Sequence, residues 1–169
     1  MSNVTEILAN PLYPTNVSTY MEYHQTMFGM ETELTSMHRM INTLYEKQKQ
    51  LESLLSSLPA GDKFSAVKKE VEALLKKMKT WDEDMVQRKS KAYDDVENFP
   101  NKFTANYLFL INQTESDIPR VNQPSLDRLK QLNMEWSALK ARASEILDKD
   151  VPSLNKRLWE VGLGAIWKD

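Results

Sequence analysis

The sequence predicts an all-α protein: an antiparallel up-down four-helix bundle with a long first helix, a short third helix and a kinked fourth. Three observations carry this. First, Met27, Met30, Leu34, Met37, Ile41, Leu44, Leu51, Leu55 and Leu58 recur at alternating steps of three and four, with one gap at Gln48. That is the apolar seam of a helix packed lengthwise on another. Second, a matching seam runs through Phe64, Val67, Val71, Leu74, Met78, Trp81 and Met85, directly after Pro59-Ala60-Gly61. Third, only four glycines occur in 169 residues, which favours a few long elements over many short strands.

Each element follows from local chemistry. Residues 1–15 read as an extended lead-in, since Pro11 and Pro14 oppose a helix there. Val4–Leu8 then reads as a stray strand, such as the last strand of an upstream β domain. The bundle domain is expected over 16–169. Asn16 or Ser18 offers a side-chain oxygen to cap the first long helix. Its seam runs on to Leu58, where Pro59-Ala60-Gly61 stops it. Asp62 reads as the cap of the second helix, and the two form an antiparallel hairpin.

Glu97-Asn98-Phe99-Pro100 is a break. A short helix follows with Phe103, Tyr107, Leu108, Leu110 and Ile111. After a polar connection containing Pro119, Pro124-Ser125 opens the last helix, with its seam at Leu129, Leu132, Trp136, Leu139, Ala143 and Ile146. Near Asp150 the apolar phase slips by one, to Leu147, Val151, Leu154, Leu158 and Val161. Pro152 sits at the slip, so a kink or restart is expected there. Gly162 and Gly164 end the helix.

Composition narrows the function. Charged side chains nearly balance, at a net −2, so no global field favours nucleic acid or an anionic membrane surface. No apolar run reaches the roughly 20 residues of a membrane span. Cysteine is absent, which removes disulfides and thiolate metal sites. Met1–Pro14 lacks the features of a signal peptide. The chain is therefore expected to be cytoplasmic, or a piece whose upstream portion carries the address. Lys68, Lys69, Lys76, Lys77 and Lys79 read as a solvated face balanced by nearby Glu and Asp.

No constellation for catalysis stands out. The two histidines, His24 and His38, have no Glu three residues before them, so the Glu-x-x-His signature of a bundle metal site is missing. His38 reads as a partly buried histidine bonded to a carbonyl or carboxylate. There is no Gly-x-Ser-x-Gly and no glycine-rich phosphate loop. Catalytic residues, cofactor and metal are all expected to be none. The aromatics suggest more. Tyr20 and Tyr23 begin the first helix, and Trp159 and Trp167 end the chain. In a four-helix up-down bundle those regions share one end, where they read as an interface or as a cluster that pins the tail.

The stretches Glu97–Phe103 and Asp150-Val151-Pro152-Ser153-Leu154-Asn155-Lys156-Arg157-Leu158, with Asn10-Pro11-Leu12-Tyr13-Pro14 ahead of them, carry a resemblance. The chain resembles the C-terminal helical region of large exported bacterial proteins built on sortilin-like β-propellers with Asp-box (BNR) repeats, often labelled glycosyl hydrolases. The resemblance implies export and upstream β domains as partners. It departs at Thr104-Ala105, where such proteins carry an Asn pair. No Asp-box sequence is present, so any hydrolase activity would lie outside this chain. The expectation is a non-enzymatic accessory or interaction domain, packing on upstream domains or another protein. It carries no nucleic acid, and is a monomer or weak homodimer. Two rivals stand beside it: a coiled-coil-type self-association or adaptor module, and a bundle enzyme or small-molecule binder.

Overall fold

The computed structural model describes residues 4–12, 15–89 and 99–165. Among the described residues every regular element is a helix. The lead-in is the first departure from expectation. Val4–Ala9 forms a six-residue helix, α1, not a strand. With no neighbouring strand to complete its backbone hydrogen bonds, the segment satisfies them locally. Asn10 then turns the chain, its Oδ1 accepting from the Leu12 N–H at 2.9 Å.

Helix α2 runs Val17–Ser57, about 61 Å at 1.5 Å per residue. Asn16 caps it, accepting from the Thr19 N–H at 2.9 Å. The heptad seam is the core: Met27, Met30, Met37, Ile41, Leu44 and Leu51 are buried, with Leu34 and Leu55 packed against them. The chain leaves α2 at Leu58 and reverses to α3, Asp62–Met85. Here the cap position falls on Gly61 rather than Asp62, and no side chain completes it. Gly61 has φ of 153°, a conformation closed to residues with a Cβ. Asp62 instead adds negative charge to the first turn, where the helix dipole welcomes it.

Helix α3 returns antiparallel along the second half of α2. Lys79 pairs with Glu52 at 2.8 Å. Arg88, just past the end of α3, lies over the Tyr45 ring at 4.4 Å. The next helix, α4 (Phe103–Glu115), does not turn back up. Its start is tied to the end of α3, because Thr104 donates its hydroxyl to the Met85 carbonyl. Its end meets the start of α2, where the Tyr23 hydroxyl donates to the Glu115 carbonyl at 3.0 Å. So α3 and α4 follow one another down the same side of α2. The third helix thus differs in direction from the four-helix up-down expectation: the helices form three columns, one of them in two pieces.

The third column climbs beside both. Helix α5 (Gln123–Glu145) is capped by Asn122, which accepts from the Ser125 N–H at 2.8 Å. It passes α4 where the Phe103 and Trp136 rings stack at 6.1 Å. It passes α3 where the Trp81 indole donates to the Leu139 carbonyl at 2.8 Å. A π-helical turn, Ile146–Asp150, then leads into α6, Val151–Glu160. The Val151 N–H bonds to the Ile146 carbonyl, an i to i+5 step. That turn is the one-residue phase slip of the sequence made physical. It absorbs one extra residue, so Ile146 and Val151 both face the core. Pro152 is seated in the first turn of α6, where a missing N–H is tolerated. Gly162, with φ of 82°, closes α6. Leu163 donates to the Leu158 carbonyl at 2.8 Å and Gly162 to that of Trp159 at 3.0 Å, a Schellman cap.

Candidate functional site

The four aromatic candidates do not come together. Tyr20 and Tyr23 are buried near the start of α2, which we call the lower end. His24 meets both rings edge-on, at 4.4 and 5.4 Å. Burial, and after it the Glu115 charge, push the Tyr23 hydroxyl above the ordinary tyrosine value. Tyr23 ties α2 to α4, and both tyrosines present little surface. Trp159 is 75% exposed on α6. Its neighbour Arg157 pairs with Glu70 of α3 at 3.3 Å, which places Trp159 toward the α2–α3 turn, the upper end. From the level of Glu70 down to Glu115, α3 and α4 together run about 40 Å. Trp167 lies outside the described residues. The shared end expected from four alternating helices is absent because three columns, not four, separate the two regions.

His38 is exposed on α2 rather than partly buried. Of the five α3 lysines, Lys77 and Lys79 are tied by acidic groups of the neighbouring columns. Lys77 bridges Glu145 and Asp150, at 3.3 and 2.6 Å. Asp82 is buried and held by both arms of Arg88, at 2.5 and 2.7 Å. Asp84 receives Arg142 at 2.7 Å. The upper half of the bundle is laced by charge pairs that join columns. Each contributes little alone, but together they give that half a polar, self-satisfied surface.

The lower half is different. Among the described residues of the bundle helices, the exposed large apolar side chains other than Trp159 lie there. Val17, Met21 and Phe28 sit on α2, Leu108 and Phe109 on α4, and Leu126 and Met134 on α5. Between Val17 and His38, α2 carries Glu22, Glu31 and Glu33 and no Lys or Arg; α4 carries Glu115 alone. These side chains leave the lower half more apolar at its surface than the upper half. The seam pattern hid it, since Phe28 and Met134 stand off the seam at positions a solvated helix gives to polar residues. Large apolar residues on that polar face were the available signal.

Part of this surface is concave. A groove of about 400 Å³ lies between α2 and α5, floored by Met30, Tyr107 and Asn133. Phe28 and Gly29 form its α2 wall, and Leu129 its α5 wall. A Cβ on Gly29 would meet nothing within 4 Å, so the wall is open there. Leu129 and Asn133 also line a second hollow of about 420 Å³, with Leu126, Lys130 and Met134. Glu33 closes the top of the groove, accepting from the Trp136 indole N–H at 2.6 Å.

Tyr107 beneath the groove gives a titration handle. It is buried and bonded to Asn133 Oδ1 at 3.2 Å. Burial first, and the Glu33 charge second, raise its hydroxyl from 10 to about 12. A group held protonated by the fold contributes stability that is full below pH 10 and lost as pH rises through about 12. Tyr107→Phe is therefore expected to flatten the fall in stability between those values, read from urea midpoints at each pH. Equal slopes for the two proteins would show that Tyr107 is not the group responsible.

Among the described residues no group of three His, Asp or Glu is placed to hold a metal ion, and no helix is long and apolar enough to cross a membrane. No family model, curated protein or solved structure matches the chain.

Proposed function

We propose that the chain is a non-enzymatic accessory domain that makes protein contacts, attached to the β-propeller portion of an exported bacterial protein. One observation carries the contact-making part: among the described residues of the bundle helices, the exposed large apolar side chains other than Trp159 are gathered in the lower half, while the upper half is tied up in its own charge pairs. The propeller association comes from the sequence resemblance alone. Residues 15–17 enter α2 at the apolar end, so a preceding domain would sit against Val17, Met21 and the outer face of α4 at Phe109. Trp159 is a separate contact point at the opposite end.

Hydroxyl-radical footprinting tests this reading. Met21 and Phe109 are expected to oxidise several-fold more slowly in the parent protein, with its propeller present, than in the isolated chain. Equal rates in both would overturn it.

A further inference from the structure

We propose that the hollow on α5 between Leu129 and Met134, beside the α2–α5 groove, receives Phe28 of a second copy of this chain, in a two-fold pair whose axis runs parallel to the helices. The inference rests on reading the bundle as a contact-making domain, and it gives the α2–α5 face its own occupant.

The geometry argues for a second copy. Helices α2 and α5 climb in the same direction, and the bond from the Trp136 indole to Glu33 sets those two residues within a side-chain length of one height. A two-fold axis along that direction preserves height and sets α2 of each copy against α5 of the other. Phe28 lies about 7.5 Å below Glu33 along α2. On α5, Leu129 and Met134 lie about 10 Å and about 3 Å below Trp136. The exposed Phe28 ring thus stands level with the middle of the hollow that Leu129 and Met134 bound. Knob and hole on one surface, at one height, are what a self-complementary contact needs. Met134, itself 68% exposed, has the flexible side chain to close over an inserted ring.

Charge selects the same arrangement. Glu22 precedes Gln25 and Gly29 on the groove side of α2, and Lys130 lines the α5 wall. Their heights differ by about 8 Å, which two long side chains span between copies. Placing α2 against α2 would instead oppose carboxylates, since this half of α2 has no Lys or Arg. Facing α2 to α5 gives each Glu22 a cation from the other copy.

Sedimentation equilibrium of the full chain, from about 1 µM to about 300 µM, tests the pairing. The mass is expected to rise from 19.6 kDa toward twice that value. Phe28→Asp, at an exposed position, is expected to weaken association at least about tenfold while the circular dichroism melt of dilute protein is unchanged. Glu22→Lys and Lys130→Glu should each weaken it several-fold, and the double variant should recover it. A constant 19.6 kDa overturns the proposal and leaves the footprint of Met21 and Phe109 to judge the accessory-domain reading separately. A dimer indifferent to Phe28→Asp, or a charge swap without recovery, overturns it as well.

Discussion

Trp81→Ala is expected to cost about 3–5 kcal/mol of folding stability, the range for removing a large buried aromatic. Trp81 is fully buried on α3 where all three columns meet. Its loss opens a cavity that helices pinned on either side cannot collapse into. The indole also donates to the Leu139 carbonyl, so the substitution removes a bond between α3 and α5. Trp81→Phe keeps most of the volume and drops only that bond, so it should cost about 1–2 kcal/mol. Urea unfolding at a constant m value reads both. A loss below about 1 kcal/mol for the alanine variant would mean that α5 does not pack on Trp81 as described.

Deleting Lys149 is expected to leave the protein folded, within about 1 kcal/mol of its original stability. In most helices a one-residue deletion turns everything beyond it by about 100° and ruins the core. Here the π turn already holds one residue more than an α-helical turn. Removing the exposed Lys149 lets Ile146–Asp150 become α-helical, and the apolar steps from Ile146 through Val151, Leu154 and Leu158 then run four, three, four. Deleting exposed Ala138 is the control. It rotates Leu139, Ala143 and Ile146 away from α3 and should cost more than about 3 kcal/mol. Thermal and urea unfolding of the two variants decide it: equal damage from both would show that the π turn does not carry the phase.

The contrast between these residues shows what the sequence reveals. The core was legible, because seams at alternating three and four assign Met27, Met37, Trp81 and Leu132-side neighbours such as Trp136 to the interior without any knowledge of tertiary structure. The slip at Asp150 was legible as a discontinuity, though a proline kink and a π turn leave similar marks. The direction of α4 was not legible. It shows only in the ties at its two ends, Thr104 to Met85 and Tyr23 to Glu115, and a heptad pattern reads the same up or down. The misplacement of Trp159 beside Tyr20 and Tyr23 follows from that one reversal. The Thr104 hydroxyl supplies a tie between helices that no seam pattern announces. Val4–Ala9 was misread because two prolines dominated the local pattern, while the helix ends before the first of them.

The column built from α3 and α4 has a joint, and the columns beside it do not. At that level α2 and α5 run on as unbroken helices, while α3 packs on α4 through the Thr104 hydroxyl and the contacts around Phe103. The molecule therefore has a waist. Cooperative opening need not cross it: the half built on α4 can come apart as one unit while the half built on α3, cross-linked by charge, stays closed. The half that can yield is the one that carries the exposed apolar surface.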